Sequence, residues 1–324
     1  MYELRRLFVV VALLAGTCAP ATRLIAQDED PEIEPAPADV FVGIVQLSEE
    51  IEQLRREMGK PVSAFEFEIR NAAPREVYFQ ALTLFRKADR LAFEHLHERV
   101  NVPAQPQGPL RPKDVLAVVE AAGERIRDVK GKLKVDEAAD APVRDPTKTP
   151  TDVFRAIVKA NQQLNVLLDH PFSPSDVFQQ VQRASGLATA LASPFSKTDF
   201  PREIPEFDRG KRPPDVYRQL FKCLKRVQKI FDASDLKVLE FEVSEITIDK
   251  ATPSDVYDLA SVLVAELAYL HELHPGAESP PAVFYPGSKF PSHVHQAARL
   301  LDQQLNWLQQ QVSEQPDWLQ REAP

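Results

Sequence analysis

A five-residue pattern, Pro-x-acid-Val-aromatic, recurs along this chain and constrains its fold more than any other feature. Eight copies are present, the last of them degenerate, and their valines are Val40, Val77, Val115, Val153, Val177, Val216, Val256 and Val294. A short repeat of this kind cannot bury its apolar face alone, so the copies must pack on one another. The sequence therefore predicts a fold built from eight equivalent units.

Each copy of the pattern predicts the start of a helix. Proline is tolerated at the first helical position, where its missing N–H would have had no partner. The acid two residues later can accept hydrogen bonds from free backbone N–H groups, and it faces the positive end of the helix dipole. In three copies the residue before the proline is also a preferred N-cap, namely Thr149, Ser173 and Thr252.

Apolar or small residues follow each valine at alternating steps of four and three. In the first copy they are Val40, Ile44, Leu47, Ile51, Leu54 and Met58. This spacing places one apolar seam on each helix, as the core of a helical bundle requires. The predicted fold class is therefore all-α.

The spacing between copies divides the chain into two similar halves. Successive valines are 37, 38, 38, 24, 39, 40 and 38 residues apart, so the one short step falls in the middle. We interpret the chain as two tandem four-helix bundles from an internal duplication, with a continuous α-helical repeat array as the alternative. The halves are residues 27–170 and 171–313, followed by a tail at 314–324.

Long linkers, several of them rich in proline, separate the predicted helices. A linker of about 16 extended residues can return along a helix of about 21 residues, so parallel and antiparallel arrangements both remain open. Only the short link at 169–173 requires that the fourth and fifth helices run antiparallel. Two linker stretches, 64–69 and 238–248, alternate apolar and charged residues and predict extended strands.

The N-terminal residues resemble an export signal. Arg5 and Arg6 precede an apolar run at 7–16, and small residues follow it. This order is typical of a secretory signal peptide, here residues 1–26, with cleavage after Ala21 or Ala26. No later stretch is long and apolar enough to predict a membrane span. We therefore expect a periplasmic protein.

The chain has two cysteines. Cys18 follows Thr17 where lipidation signals prefer a smaller residue, so a lipid anchor at Cys18 is not expected. Removal of the signal would leave Cys223 alone, which excludes an internal disulfide. Cys223 occupies a seam position and is expected to be buried and inert.

Charge and motif content limit the classes of function. The formal net charge is −9, which disfavours nucleic acid and anionic lipid as partners. The sequence contains no nucleophile elbow, phosphate-binding glycine loop or His-Glu-x-x-His motif. We therefore expect a non-enzymatic binding or scaffold protein that presents a surface to another envelope protein and needs no cofactor. The alternative is a small-molecule-binding accessory or sensor protein with a pocket within or between the bundles.

Metal binding has two weak signals. His271 and His274 lie three residues apart on a helix, but no second pair of ligands accompanies them, so no metal site is predicted. The recurring acids would gather as a carboxylate ring able to hold calcium if the helices were parallel. Helix capping explains these acids without any ion.

Aromatic residues are the candidates for binding. They are Phe41, Tyr78, Phe154, Phe178, Tyr217 and Tyr257, which follow the repeat valines, and Trp307 and Trp318 near the C-terminus. Packing in the core is the preferred role for the first six, and a row that stacks on a ligand is the alternative. The tryptophan pair is either a docking element or a cover for the end of the last bundle.

Overall fold

Long helices dominate the computed structural model, which describes residues 34–62, 68–106, 108–140, 142–195, 199–274 and 278–320. The elements are α1 (Pro37–Glu57), β1 (Glu68–Arg70), α2 (Pro74–Leu96), α3 (Pro112–Leu133), α4 (Pro150–Leu167), α5 (Pro174–Leu191), α6 (Pro213–Ala233), β2 (Glu240–Glu242), α7 (Glu245–Ile248), α8 (Pro253–Leu273) and α9 (Pro291–Glu314). A 3₁₀ segment, Pro316–Gln320, follows α9. The all-α fold class is confirmed.

Internal contacts divide the chain into Met1–Glu34 and Pro35–Pro324. The signal-peptide prediction for residues 1–26 lies outside the described residues. Among the described helices, none combines the length and the apolar character that crossing a bilayer requires.

Every copy of the repeated pattern starts a long helix with its proline as the first residue. The acid then caps the helix as predicted: the Ala36 N–H donates to Asp39 Oδ2 at 2.8 Å in α1. The eighth copy has a histidine where the others have an acid, yet the Phe290 N–H donates to His293 Nδ1 at 3.1 Å. The degenerate copy therefore keeps the acceptor and loses only the charge.

Replacing His293 with aspartate is expected to stabilise the protein by about 0.3–1 kcal/mol, because a carboxylate at this position also meets the positive end of the α9 dipole. Urea unfolding at pH 7 measures the change. The reverse substitution at an equivalent cap, Asp114→His in α3, should cost a similar amount. A loss of stability in His293→Asp would contradict this account of the cap.

The first helical turns of four helices meet at one point in each half of the chain. The prolines and valines of α1, α2, α3 and α4 together line a cavity of about 20 Å³. Those of α5, α6, α8 and α9 line another of about 10 Å³. Each set of four helices is therefore parallel, which the sequence left open. Four positive helix ends meet there, and the capping carboxylates offset their repulsion.

Helix contacts within the two sets follow the same order. In the first set, α1 and α2 each pack against α3 and α4. In the second set, α5 and α6 each pack against α8 and α9. If α1, α2, α3 and α4 are matched in order with α5, α6, α8 and α9, every helix contact in the first set has a counterpart in the second. Both sets therefore form the same ring of helices. Seam residues such as Ile44, Leu84 and Leu263 are fully buried inside these rings.

The two sets pack on each other mainly through α2 and α8. Arg75 at the start of α2 pairs with Glu266 in the second half of α8, whereas Lys87, further along α2, pairs with Asp258 near the start of α8. These pairs show that α2 and α8 run in opposite directions. The fourth and fifth helices are consequently antiparallel, as the short link between them requires.

A two-stranded antiparallel sheet also joins the two halves. It pairs β1 with β2 and places Ile69 opposite Phe241, both of them buried. The strand predicted at 238–248 is therefore correct only for Glu240–Glu242. The prediction is wrong further on, because the Ser244 hydroxyl accepts from the Thr247 N–H and starts the short helix α7. Of the other predicted strand, residues 64–67 lie outside the described residues.

Candidate functional site

A cleft of about 590 Å³ runs along the second set of helices, between α5, α9 and two linker segments. One stripe of each helix forms its floor, because the lining positions recur at steps of three and four. They are Phe178, Val181, Gln182, Ser185, Gly186 and Thr189 on α5, and His293, Gln296, Ala297 and Leu300 on α9. The volume falls in the range of ligand-binding sites.

The outer wall of the cleft is a segment without regular secondary structure at 281–286, which we call the strap, together with Ile204. Gly186 allows the strap to approach α5 closely, since a Cβ atom there would lie 3.1 Å from Pro281 Cδ. Beyond the other end of the strap, the Lys289 N–H donates to Ser175 Oγ at 2.9 Å. The strap is therefore held at both ends and stands away from the helices between them.

The lining of the cleft is uncharged: no Asp, Glu, Lys or Arg is among its described residues. Some of its polar groups are already engaged, since Thr189 Oγ1 donates to the Ser185 carbonyl at 2.8 Å and Gln296 Nε2 donates to the Pro205 carbonyl at 2.7 Å. Gln182 is exposed, and its amide forms no hydrogen bond with the described residues. The cleft is thus suited to an uncharged ligand.

Large apolar side chains are exposed at the rim. Phe284 and Tyr285 on the strap are 80% and 66% exposed, and Ile204 is 72% exposed. Exposed apolar side chains that cluster beside a cleft are typical of a binding surface.

No protein-family model matches this chain, and no curated protein or solved structure matches it either. The candidate site therefore rests on geometry and chemistry alone.

Most of the aromatic candidates from the sequence are in the core. The buried ones are Tyr78, Phe154, Tyr217, Tyr257, Trp307 and Trp318. They present no exposed row on which a ligand could stack. Phe41 and Phe178 are half-buried, and each ring lies under a lysine ammonium, at 4.7 Å from Lys148 Nζ and 5.0 Å from Lys289 Nζ. Of these eight aromatics, Phe178 alone lines the cleft.

Trp318 covers the end of the second set of helices. Its side chain is fully buried in the 3₁₀ segment, and its ring centroid lies 5.9 Å from that of Phe195 and 5.7 Å from that of His274. Its Nε1–H donates to Ser234 Oγ at 2.9 Å. This placement favours the covering role over a docking role for Trp318.

The weak metal candidates have other surroundings. His271 Nε2 lies 2.8 Å from the Glu278 carbonyl oxygen, and His274 is buried beside Trp318. Within the described ranges, no group of three or more His, Cys, Asp or Glu side chains is arranged to hold a metal ion. The recurring acids, which parallel helices could have gathered into a ring, instead cap their own helices and form no such group in this part of the chain.

Cys223 lies in the core of the second set of helices, with its Sγ 3.5 Å from the Ala298 carbonyl oxygen. Burial raises the pKa of its thiol far above the ordinary value. A thiol in this state is a poor nucleophile, which agrees with its predicted structural role.

Sequence reasoning missed a pair of opposite charges buried between α2 and α8. Lys87 is fully buried, and its Nζ lies 2.6 Å from Asp258 Oδ1 and 3.3 Å from the Asn161 carbonyl oxygen. Burial raises the pKa of Asp258 to about 6 and lowers the pKa of Lys87. The pair lies where the two sets of helices meet, with Lys87 sealed from solvent and the Asp258 side chain still 15% exposed.

A second buried cluster at this interface joins two carboxyl groups and one arginine. Arg75 Nη2 lies 2.8 Å from Glu76 Oε1 and 3.3 Å from Glu266 Oε2, and its guanidinium stacks 3.9 Å from the Tyr269 ring centroid. Burial and the neighbouring Glu76 carboxylate raise the pKa of Glu266 well above its ordinary value. Relative to a glutamate in water, this site therefore favours the protonated form of Glu266.

The Glu266→Gln variant should be less sensitive to pH than the wild type. Between pH 4.5 and its raised folded pKa, native Glu266 keeps a proton that the unfolded chain, with a pKa near 4.5, has released. Its contribution to stability is thus complete below about pH 4.5 and is lost as the pH rises toward the folded pKa, by about 1.4 kcal/mol per pH unit. Glutamine is neutral throughout. Urea unfolding from pH 5 to pH 8 should therefore show the wild type losing stability relative to Glu266→Gln.

Exposed Glu272 lies on the same helix, so Glu272→Gln is the matched control. Its unfolding free energy should run parallel to that of the wild type across this range. Equal pH slopes for the wild type and Glu266→Gln would rule out a raised pKa of Glu266 in the folded protein.

Proposed function

We propose that this protein is a non-enzymatic binding protein of the periplasm, built as two tandem four-helix bundles from an internal duplication. In this proposal the cleft of the second bundle receives another envelope protein. The proposal that the protein is exported rests on the composition of residues 1–26.

Matching details in the two halves support the duplication. Both sets of helices have the same ring of contacts. The pair Phe41–Lys148 in the first half has a counterpart in Phe178–Lys289 in the second, at sequence offsets of 137 and 141 residues. Lysine and phenylalanine need not recur together for helix formation, so their shared placement favours a common origin.

The observation that carries the binding function is the uncharged cleft with its exposed aromatic rim. General acid–base or nucleophilic catalysis needs an available titratable or nucleophilic group. The histidine in the lining is His293, and its Nδ1 atom already accepts the hydrogen bond that caps α9. Phe284 and Tyr285 at the rim are of the residue type enriched in protein interfaces. A partner protein is therefore favoured over a chemical substrate.

The second candidate function is binding of a small molecule. The cleft volume of about 590 Å³ supports it, because drug-sized ligands occupy sites of roughly 300–1,000 Å³. The two functions differ in what should be found in the cleft when the protein is isolated.

Filling the cleft tests the proposal. Ala297 in α9 and Ala156 in α4 are half-buried alanines three residues after their repeat valines, so Ala156→Phe is the matched control. Tagged wild type and both variants are cross-linked in the envelope extract and purified. Wild type and Ala156→Phe should retain the same partner, and Ala297→Phe should retain about tenfold less.

Equal retention by the wild type and Ala297→Phe would reject the cleft as the site for a protein. A small molecule seen by native mass spectrometry in the wild type and missing from Ala297→Phe would instead establish the second candidate function. Circular dichroism of both variants checks that the helices are intact.

A further inference from the structure

The strap carries backbone groups that the rest of the described structure does not use. The N–H and carbonyl groups of Ala282, Val283, Phe284 and Tyr285 form no hydrogen bonds with any described residue. The strap forms neither helix nor strand at these positions and is largely exposed, and Tyr285 precedes a proline, which favours extended backbone. An extended segment with unpaired backbone groups can accept another strand along its edge.

We propose that the cleft binds an extended peptide segment of the partner, which pairs with the strap as an added strand. This inference rests on the proposed function and names the kind of partner. The backbone of the strap would supply affinity, and the cleft beside it would select the side chains of the peptide.

The dimensions of the cleft fix the length of the bound segment. Its floor on α5 extends from Phe178 to Thr189, which is about 16 Å at 1.5 Å per residue. About five extended residues cover this distance at roughly 3.3 Å each. Because side chains alternate along a strand, two or three of the five would point into the cleft.

Prolines limit the pairing to the middle of the strap. Pro281 and Pro286 have no N–H to donate, so only the four residues between them offer both backbone groups. Gly287 then adopts a positive φ of 72°, which turns the chain away after the strap. The short paired edge fits one peptide and disfavours open-ended association with further strands.

Charge selects the chemistry of the peptide. Among the described residues, the lining holds no charged side chain, so a charged group that entered the cleft would lose its hydration without a counter-charge. The inward side chains of the peptide are therefore uncharged and largely apolar. The whole chain carries a net charge of −9, so lysine or arginine outside the bound segment would favour association and acidic residues would oppose it.

A displayed library of random heptapeptides is the probe. Peptides are selected on immobilised wild-type protein and counter-selected on Ala297→Phe, and the enriched sequences are synthesised. We expect a core of about five uncharged residues, with binding unchanged in Ala156→Phe. Failure to enrich any peptide over the Ala297→Phe background would overturn the inference.

N-methylation of the synthetic peptides, one residue at a time, tests the added strand directly. Methylation removes one N–H and leaves every side chain in place. In a paired strand alternate N–H groups face the neighbour, so methylation should weaken binding about tenfold at every second position and little at those between. Equal tolerance at all positions would overturn strand pairing.

A change in the strap complements the peptide series. Val283→Pro removes an N–H from the strap, whereas Val283→Ala shortens the side chain and keeps the N–H. Binding should fall about tenfold in the proline variant relative to the alanine variant, with the same thermal unfolding temperature. Equal binding by the two variants would contradict strand pairing at this residue.

Failure of this inference and failure of the proposed function give different results. Suppose that the wild type captures the partner protein and Ala297→Phe does not, but that N-methylation never weakens peptide binding at alternate positions. The partner then docks through a folded surface. That result overturns the added strand and leaves the proposed function in place. If the capture is also insensitive to Ala297→Phe, both are rejected.

Discussion

Replacing Lys87 with methionine is expected to lower the free energy of unfolding by about 3–5 kcal/mol at pH 8, the usual cost of removing one partner of a buried ion pair. Methionine fills a similar volume, so the main change is that the Asp258 carboxylate, which is largely shielded from water, loses its counter-charge. At pH 5 the loss should be smaller, because Asp258 can then take up a proton. Urea unfolding at both pH values measures the difference.

The double variant Lys87→Met/Asp258→Leu separates the cost of an unpaired charge from the value of the pair. With both charges removed, most of the lost stability should return, because an apolar pair of similar volume tolerates burial. Lys229→Met, at an exposed position on α6, is the control for the substitution itself. A loss in Lys87→Met below about 1 kcal/mol at pH 8 would show that the ammonium is not a buried partner of Asp258.

Replacing Trp318 with alanine should cost about 3–5 kcal/mol, as large-to-small changes of buried aromatic residues usually do. The ring is fully buried against Phe195 and His274, and its N–H bond to Ser234 would also be lost. Leu319 is the neighbouring half-buried residue, and Leu319→Ala should cost clearly less. Thermal and urea unfolding measure both variants.

Removing residues 316–324 tests the same role in another way. If the segment serves mainly to seat Trp318, the truncated protein should lose about as much stability as Trp318→Ala. An unchanged free energy of unfolding in either protein would show that Trp318 does not cover the core.

The helices were predictable because their signals are local. Each start depends on one proline, one acid and one valine within five residues, and each seam on a period within a single helix. The degenerate eighth copy is instructive. The sequence showed that His293 replaces the acid, but it did not show that the His293 Nδ1 atom still accepts the same hydrogen bond. Hydrogen-bonding geometry can survive a change of residue type that obscures a motif.

The arrangement of the helices was less accessible. Long linkers permitted both directions, and only the structure shows the four helix starts of each set together. The α8 sequence did contain a signal, because it is apolar around much of its circumference, as expected of a helix packed on several sides. Asp258 and Glu266 interrupt that apolar surface, and their partners on α2 lie more than 170 residues away in sequence. No local pattern could pair them.

The cleft could not be predicted because its outer wall is made of linkers. The path of residues 281–286 depends on contacts with α5. Hydrophobic periodicity predicts helices and strands, but it does not predict the path of a segment without regular secondary structure. One local signal was present in Gly186, since a glycine inside a helix costs about 1 kcal/mol relative to alanine and commonly has a packing reason. Here the reason is the close approach of Pro281. The aromatic residues, which stood out in the sequence, mostly serve the core.

The parallel arrangement also determines the order in which the protein can be assembled. The helices α1 and α2 follow one another in the chain but lie across the ring from each other, and α1 packs against α3 and α4. The helix α3 begins 55 residues after α1 ends, and α8 begins 62 residues after α5 ends. No helical hairpin of adjacent segments can therefore act as a starting nucleus for α1 or α5. During synthesis from the N-terminus, the apolar seams of α1 and α5 therefore remain unpacked until more than half of each set of helices has been made.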